Sequence, residues 1–201
     1  GEVLAGAGKG YRDVVVVTLG TGVGGGIIID GKIYTGFNFC GAELGHTVIQ
    51  YGGRQCGCGR KGCFEAYSSA TALINMTRES MEAHRDSKMW EICSGSIDNV
   101  DGKTAFDGWR AGDKAASDVV DMYISYLGCG LTNIVNTFQP EVLLIGGGIC
   151  KEGENLTKPL EEIIAKEAYC IDPKQSTKLG ICELGNDAGI IGAAFLYTLA
   201  E

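Results

Sequence analysis

Residues 43–65, "ELGHTVIQYGGRQCGCGRKGCFE", constrain the fold more than any other part of the sequence. His46, Cys56, Cys58 and Cys63 follow the spacing H-x9-C-x-C-x4-C within this segment. Zinc prefers four tetrahedral ligands of sulfur and imidazole nitrogen, and three cysteines with one histidine form a common closed set. Glycines between the cysteines allow so short a segment to wrap around an ion. The spacing therefore predicts a structural Zn2+ site, with reduced cysteines on a loop, or one disulfide and a spare thiol, as the alternatives.

The composition restricts the class of protein. The chain has 201 residues, of which 45% are hydrophobic and 21% charged, as is typical of a globular domain with its own core. A formal charge of −8 argues against nucleic-acid binding, because phosphate backbones recruit Lys/Arg-rich surfaces. No apolar run reaches the roughly 18 residues that span a bilayer, so no membrane partner is expected. Six of the nine cysteines lie singly, which favours a reducing cytoplasm over a secreted disulfide scaffold.

The first strands can be read from β-branched runs. Residues 13–19 form such a run, suited to a buried strand. Two further runs, at 25–30 and 32–36, flank Asp30-Gly31. Asp-Gly between two strands predicts a hairpin, because a type I′ turn requires positive φ at both central positions. The chain is therefore expected to open with three short strands.

The rest of the chain alternates helical and strand patterns. Further strands are predicted at 141–148 and 178–184. Three-to-four apolar spacing and capping residues predict helices at 64–83, near 103–110, and at 113–138, 155–168 and 186–200. Pro159 is expected in the first turn of its helix. The resulting order, βββαβαβα with additional helices before the fourth strand, predicts a mixed sheet flanked by helices on its faces.

Glycine is abundant and clustered, with 32 residues in the chain. "TLGTGVGGG" (18–26) lies between two strands, where backbone N–H groups can converge on phosphate oxygens and Thr21 adds a hydroxyl. It is neither a Walker loop, since no Gly-Lys-Ser/Thr follows, nor a dinucleotide fingerprint, since a strand follows it. "IGGG" (145–148) ends a buried strand, where nucleotides approach sheets of this kind. Each cluster alone is also compatible with a glycine-rich turn that binds nothing.

Taken together, these segments resemble the ROK family of bacterial sugar kinases and sugar-responsive repressors. The pattern E-x-x-H-x9-C-x-C-G-x2-G-C-x-E resembles the family signature, and "LGTGVGGGIIIDGKI" its second phosphate loop. "PEVLLIGGG" resembles its adenosine-side motif and "LGNDAGIIGAA" its C-terminal signature. The resemblance runs across essentially all 201 residues and, within the family, points to glucokinases of Gram-positive type.

The resemblance implies an actin-like (ribonuclease-H-like) ATPase fold, in which two lobes close over ATP and sugar. It implies transfer of phosphate from ATP, with Mg2+, to the 6-hydroxyl of a hexose, glucose first and fructose, mannose or N-acylmannosamine as alternatives. It implies that Glu43, His46 and Glu65 bind the sugar and that His46 also binds the zinc. Without the resemblance, the alternative is that the two glutamates flanking the loop are simply solvated. The implied ATP contacts are Gly20, Thr21, Gly22, Gly24, Gly25, Gly146, Gly147 and Gly148. Kinases of the family are commonly homodimers through this lobe.

One part of the family pattern is not found in the chain. Its D-x-G-G-T motif, and the Asn-Asp-Ala-Asn-like segment whose Asp is the general base, precede the position that Gly1 occupies. Residues 1–201 are therefore expected to form the C-terminal lobe, with an inserted zinc loop at 43–65 and no activity in isolation. The effector domain of a ROK repressor is an alternative, although the glycine-complete phosphate loop favours a kinase. The third hypothesis is a zinc-stabilised interaction module that binds no ligand.

Overall fold

The computed structural model describes residues 1–169 and 172–195. Its centre is one five-stranded sheet with the order β3-β2-β1-β4-β5. The strands are β1 (Val14–Leu19), β2 (Val23–Ile29), β3 (Lys32–Ile33), β4 (Val142–Gly146) and β5 (Lys178–Ile181). The first three run antiparallel to one another, whereas β4 is parallel to both β1 and β5. The predicted mixed α/β sheet is confirmed.

The register of β1 brings the two glycine clusters together. Thr18, near the end of this strand, pairs with Gly24 on one side and with Gly146 on the other. The chain leaves β1 and β4 at the same edge of the sheet, because these two strands are parallel. Segments about 120 residues apart in sequence therefore become neighbours across a single strand.

The predicted hairpin is present, but its second strand is short. Asp30 and Gly31 have φ values of 53° and 78°, as a type I′ turn requires. Strand β3 ends at Ile33, so the prediction of a strand at 32–36 is wrong at its C-terminal end. Gly36 has a φ of 74° and turns the chain out of the sheet.

Eight α-helices surround the sheet in the described residues. They are α1 (Glu2–Ala5), α2 (Glu65–Ser68), α3 (Ala70–Ala83), α4 (Met89–Ile92), α5 (Thr104–Arg110), α6 (Lys114–Phe138), α7 (Glu154–Glu167) and α8 (Asp187–Ala194). Helices α1 and α4 were not predicted; each is a single turn, too short to carry a periodic pattern. The predicted continuation of the last helix over 196–200 lies outside the described residues, as does Cys170.

Two predictions about helices need correction. The predicted helix at 64–83 is two helices, because Ser69 adopts an extended conformation and its side chain accepts a hydrogen bond from Ala72 N–H as the cap of α3. Pro159 lies in the second turn of α7 and not in the first, because this helix begins at Glu154. A proline in that position has no N–H for the bond to the preceding turn, yet the helix continues past it to Glu167.

The core lies on both faces of the sheet. On one face, Val15, Val17 and Leu19 of β1 are buried against a larger cluster that includes Phe64 and the apolar side of α6. On the other face, buried residues of β1, β2 and β4 pack against the N-terminal segment; they are Val14, Ile28, Val142 and Leu144. Each fully buried aliphatic side chain contributes about 1.5–3 kcal/mol to folding. In the part of the chain that the structure describes, no helix combines the length and apolar character needed to cross a bilayer.

Candidate functional site

The four predicted metal ligands converge. One donor atom from each of His46, Cys56, Cys58 and Cys63 lies within 4.8 Å of all the others. Cys56 Sγ is 3.7 Å from His46 Nδ1, and Cys58 Sγ is 3.7 Å from Cys63 Sγ. Tetrahedral coordination with zinc–ligand distances of about 2.0–2.3 Å places neighbouring donor atoms about 3.5–3.8 Å apart. The arrangement therefore fits a zinc ion with three sulfur ligands and one nitrogen ligand.

Glycines give this loop its shape. Cys56 and Arg60 form a tight turn in which Cys56 N–H donates to the Arg60 carbonyl over 2.9 Å. Gly59, inside that turn, has a φ of 91°. Gly62 has a φ of 84°, and a Cβ there would lie 1.8 Å from the Gln50 carbonyl oxygen. Another residue at position 62 would push apart the backbone segments that carry the ligands.

The environment of the thiols differs from one cysteine to the next. Burial raises the pKa of Cys56, and burial followed by contacts with the neighbouring thiols raises the pKa of Cys63 to about 12. The backbone N–H of Arg60 lowers the pKa of the exposed Cys58 thiol. The Arg60 guanidinium also donates to the His46 carbonyl over 3.0 Å, so a cation lies beside the cluster. Zinc binding would displace protons from the buried thiols, because only the thiolate is a ligand.

The three residues expected to bind sugar lie at different depths. Glu65 begins α2 and is half-buried; its Oε2 accepts a hydrogen bond from Val23 N–H over 2.9 Å, and its Oε1 lies 3.6 Å from Cys56 Sγ. His46 turns Nδ1 towards Cys56, which leaves Nε2 on the other side of the ring. Glu43 is exposed at the start of the loop. Glu65 thus touches both the metal cluster and the glycine-rich loop, a contact that the sequence does not reveal.

Both glycine clusters open into one cleft of about 960 Å³. Of the expected ATP contacts, its lining includes Gly20, Gly22, Gly24, Gly146, Gly147 and Gly148. Glu65 also reaches this cleft. Gly147 has a φ of 116°, and a Cβ there would lie 2.1 Å from the Leu19 carbonyl oxygen. At these glycines the strand ends present backbone to the cleft.

Two expected ATP contacts lie elsewhere. Thr21 lines a neighbouring cavity of about 500 Å³ together with Arg54 and Thr71. Gly25 packs on the metal-loop side of β2, where a Cβ would lie 2.3 Å from the Ala42 carbonyl oxygen. The alternation of side-chain directions along a strand explains why neighbouring glycines serve different surfaces.

The cleft also contains residues that the sequence analysis missed. Glu2 is buried, and its carboxylate accepts hydrogen bonds from three backbone N–H groups, those of Ala7, Glu183 and Leu184. No local pattern marks such a residue, because two of its partners lie about 180 residues away. Lys151 also lines the cleft, and a basic residue three positions after a glycine-rich turn was an available signal.

Two cysteines in the cleft are not candidate nucleophiles. Burial raises the pKa of Cys150 to about 11 and that of Cys182 to about 12. Both thiols therefore stay protonated at neutral pH, and a thiol is a poor nucleophile compared with a thiolate. They provide small apolar surface at this end of the cleft.

Comparison with known proteins agrees with this geometry. The model of the ROK family matches residues 1–199. The chain belongs to the ROK family. This ROK chain is 39% identical to a glucokinase of Halalkalibacterium halodurans over its whole length and spans 61% of that protein. It is also 28% identical to the xylose repressor of Bacillus subtilis, over 96% of this chain and 46% of the repressor.

The fold of the ROK chain is also that of a solved relative. It superposes with a TM-score of 0.87 on a ROK family glucokinase from Streptomyces griseus in complex with glucose and AMPPNP. The two chains are 34% identical, and the match covers 97% of this chain and 63% of the other. The family membership predicted from the sequence is therefore confirmed, as is a sheet and helix arrangement shared with ROK sugar kinases. The chain spans a little over three-fifths of the length of these glucokinases.

Proposed function

We propose that this chain forms the C-terminal lobe of an ATP-dependent hexose kinase that converts glucose to glucose 6-phosphate. One observation carries the proposal: both glycine clusters flank Thr18 and open into a cleft that reaches Glu65 beside the metal cluster. A single cleft thus offers backbone N–H groups for phosphates and a carboxylate for sugar hydroxyls. The similarity to two glucokinases supports glucose over fructose, mannose or N-acylmannosamine.

In this proposal the nucleotide is held mainly by backbone. In the loop at residues 20–24, the N–H groups of Thr21 and Gly22 contact the phosphates, and Gly20 and Gly24 line the same cleft. Bound Mg2+ would neutralise charge on the phosphates. Residues 146–148 lie against the adenosine, at the end of a parallel strand where nucleotides approach such sheets. Thr21 contributes its backbone N–H, since the residue lines the neighbouring cavity, and Gly25 lets β2 approach the metal loop closely.

The sugar is proposed to lie against Glu43, His46 and Glu65. Bound zinc would fix the orientation of the His46 ring through Nδ1 and leave Nε2 for a sugar hydroxyl. The carboxylates of Glu43 and Glu65 accept hydrogen bonds from other hydroxyls. Removing one such charge-assisted bond costs about 1.5–3 kcal/mol, or about ten- to hundredfold in affinity.

The chemical step needs a base near the attacking hydroxyl. We propose that this base is an Asp in an N-terminal lobe outside residues 1–201. The lobe described here then positions the nucleotide and the sugar, and the other lobe activates the hydroxyl. The complete enzyme is proposed to be a cytoplasmic homodimer.

The test is calorimetric titration of the zinc-loaded chain with Mg·AMPPNP and with a panel of hexoses, alongside a coupled assay for glucose 6-phosphate. We expect one zinc per chain, binding of nucleotide and glucose, and no turnover by residues 1–201 alone. Glu65→Gln is expected to weaken glucose binding at least about tenfold. Glu162→Gln, an exposed glutamate on α7, is the control and is expected to bind glucose normally. Turnover by the chain alone would contradict the external base, and absence of nucleotide binding would contradict the kinase lobe.

The similarity to the xylose repressor favours a second candidate, the sugar-binding effector domain of a regulator. The same titrations separate the two. An effector domain binds its sugar without nucleotide, whereas a kinase lobe binds Mg·AMPPNP. The complete set of glycines in the phosphate loop supports the kinase.

A further inference from the structure

The loop at residues 20–23, called the phosphate loop below, is held from one side by three hydrogen bonds. Val23 N–H donates to Glu65 Oε2 over 2.9 Å. The N–H of Ala70 donates to the Gly20 carbonyl over 2.9 Å, and Thr71 Oγ1 donates to the Thr21 carbonyl over 2.8 Å. All three partners lie within residues 65–71, the segment that directly follows the last cysteine of the metal cluster.

The break between α2 and α3 makes this arrangement possible. Glu65 lies in the first turn of α2, whereas Ala70 and Thr71 form the first turn of α3. In one continuous helix, residues 65 and 70 would lie about 140° apart around the axis, because each residue turns the helix by about 100°. The extended Ser69 redirects the chain so that both first turns face the same loop.

These bonds also set the direction of the peptide groups in the phosphate loop. In a trans peptide, the carbonyl of one residue and the N–H of the next point in opposite directions. Because the carbonyls of Gly20 and Thr21 point at α3, the N–H groups of Thr21 and Gly22 point away from it. A loop with its carbonyls tied back presents donors on its other surface, as an anion requires.

The same segment is attached to the metal cluster through the backbone that follows Cys63. Glu65 follows Cys63 by two residues, so the position of this ligand determines where α2 begins. Phe64, between them, is completely buried and donates its N–H to the Thr47 carbonyl over 2.8 Å. Glu65 Oε1 also lies 3.6 Å from Cys56 Sγ, a contact donated by the thiol that zinc binding would replace. A shift of Cys63 would therefore move the carboxylate that holds Val23.

We infer that residues 65–71 act as a clamp through which metal binding at the cysteine cluster orders the phosphate loop. This inference rests on the proposed zinc and nucleotide sites and assigns Thr71 and Glu65 a further role as positioning residues. With zinc bound, the segment is held in place and the N–H groups of Thr21 and Gly22 stay aimed outward. Without zinc, the segment loosens and the loop loses its preorganisation.

Amide hydrogen exchange tests the clamp without nucleotide. We expect the Val23 amide to exchange at least about tenfold faster after zinc is removed by a chelator, while amides of strand β4 keep their protection. Glu65→Ala should expose the Val23 amide even with zinc bound, and Glu65→Gln, which keeps an acceptor, should restore protection. The inference would be overturned if the exchange rate of the Val23 amide did not change on removal of zinc, or if the amides of β4 lost protection equally.

Nucleotide affinity tests the role of Thr71. Thr71→Val removes the hydroxyl and keeps the shape, and should weaken binding of Mg·AMPPNP about two- to tenfold. Thr71→Ser should restore it. Thr137→Val is the matched control, because Thr137 is also exposed on a helix and donates to a backbone carbonyl far from the cleft. Normal affinity in Thr71→Val, or equal losses in the serine and control variants, would refute the role. If the wild-type chain bound no nucleotide, the proposed function would fail, and amide exchange would still decide whether the clamp exists.

Discussion

Gly130 of α6 packs against Phe64 of the metal loop, and substitution of this glycine tests how that packing stabilises the metal site. A Cβ at this position would lie 2.1–2.5 Å from three carbons of the Phe64 ring. Real Cβ atoms do not approach other heavy atoms so closely. Phe64 is completely buried, so its ring cannot move into solvent to relieve the clash. Because Phe64 directly follows Cys63, a proposed ligand, displacement of the ring would also displace the proposed metal site.

The sign of the effect of Gly130→Ala follows from two opposing terms. Helix propensity favours alanine over glycine by about 1 kcal/mol in a helix interior. Overpacking of a buried site costs about 1–3 kcal/mol, and complete burial of the ring favours the upper half of that range. We therefore expect a net loss of about 1–2 kcal/mol in the free energy of unfolding, equivalent to a fall in Tm of about 2–8 °C.

Urea denaturation at a fixed zinc concentration measures this change, and competition with a chelator measures zinc affinity. Gly189→Ala in α8 is the control, because no atom of the described residues lies within 4 Å of a Cβ there. Gly189→Ala should leave the free energy of unfolding unchanged or raise it slightly, whereas Gly130→Ala should lower it and weaken zinc binding. If Gly130→Ala were as stable as the wild type with unchanged zinc affinity, the packing argument would be refuted.

Three further outcomes are expected. Because burial raises the pKa of Cys63 to about 12, its bound proton competes with zinc, and zinc affinity measured by chelator competition should fall at least about tenfold per pH unit as the pH is lowered from about 8 to 6. Gly147→Ala should weaken Mg·AMPPNP binding at least about tenfold in calorimetry, because its Cβ would collide with the Leu19 carbonyl, whereas Gly102→Ala, at a position outside the cleft where a Cβ meets no neighbour, should have little effect. Burial alone would raise the pKa of Asp113, but hydrogen bonds from the backbone N–H groups of Ala116, at the start of α6, and Lys88, just before α4, lower it. Stability from this cap is therefore present at neutral pH and lost as the pH falls through the lowered pKa, so the deficit of Asp113→Ala, about 1–2 kcal/mol in urea denaturation at pH 7, should shrink below about pH 4.

Several elements could be predicted because their signals are local. The apolar spacing along α6 repeats over seven turns, and the helix at Lys114–Phe138 lies within one residue of the expectation. The Asp30-Gly31 turn is equally local, since its two residues alone accept the required backbone angles. The prediction of strand β3 was wrong at its C-terminal end, where Gly36 turns the chain, and the prediction of one helix at 64–83 missed the break at Ser69. At each place a single residue competes with the hydrophobic pattern.

The sequence by itself identified the candidate metal ligands, the two glycine-rich loops and the family. Each depends on the identity and spacing of residues within about twenty positions, where the chain has little freedom to separate them. Only the tertiary structure decided that Thr18 lies between Gly24 and Gly146, and that Glu65 joins the metal loop to Val23. These contacts depend on strand register and on a break in a helix, and they link residues that only the packed core brings together. The candidate ligands are therefore visible in the sequence, whereas the contacts between the segments that carry them are a property of the fold.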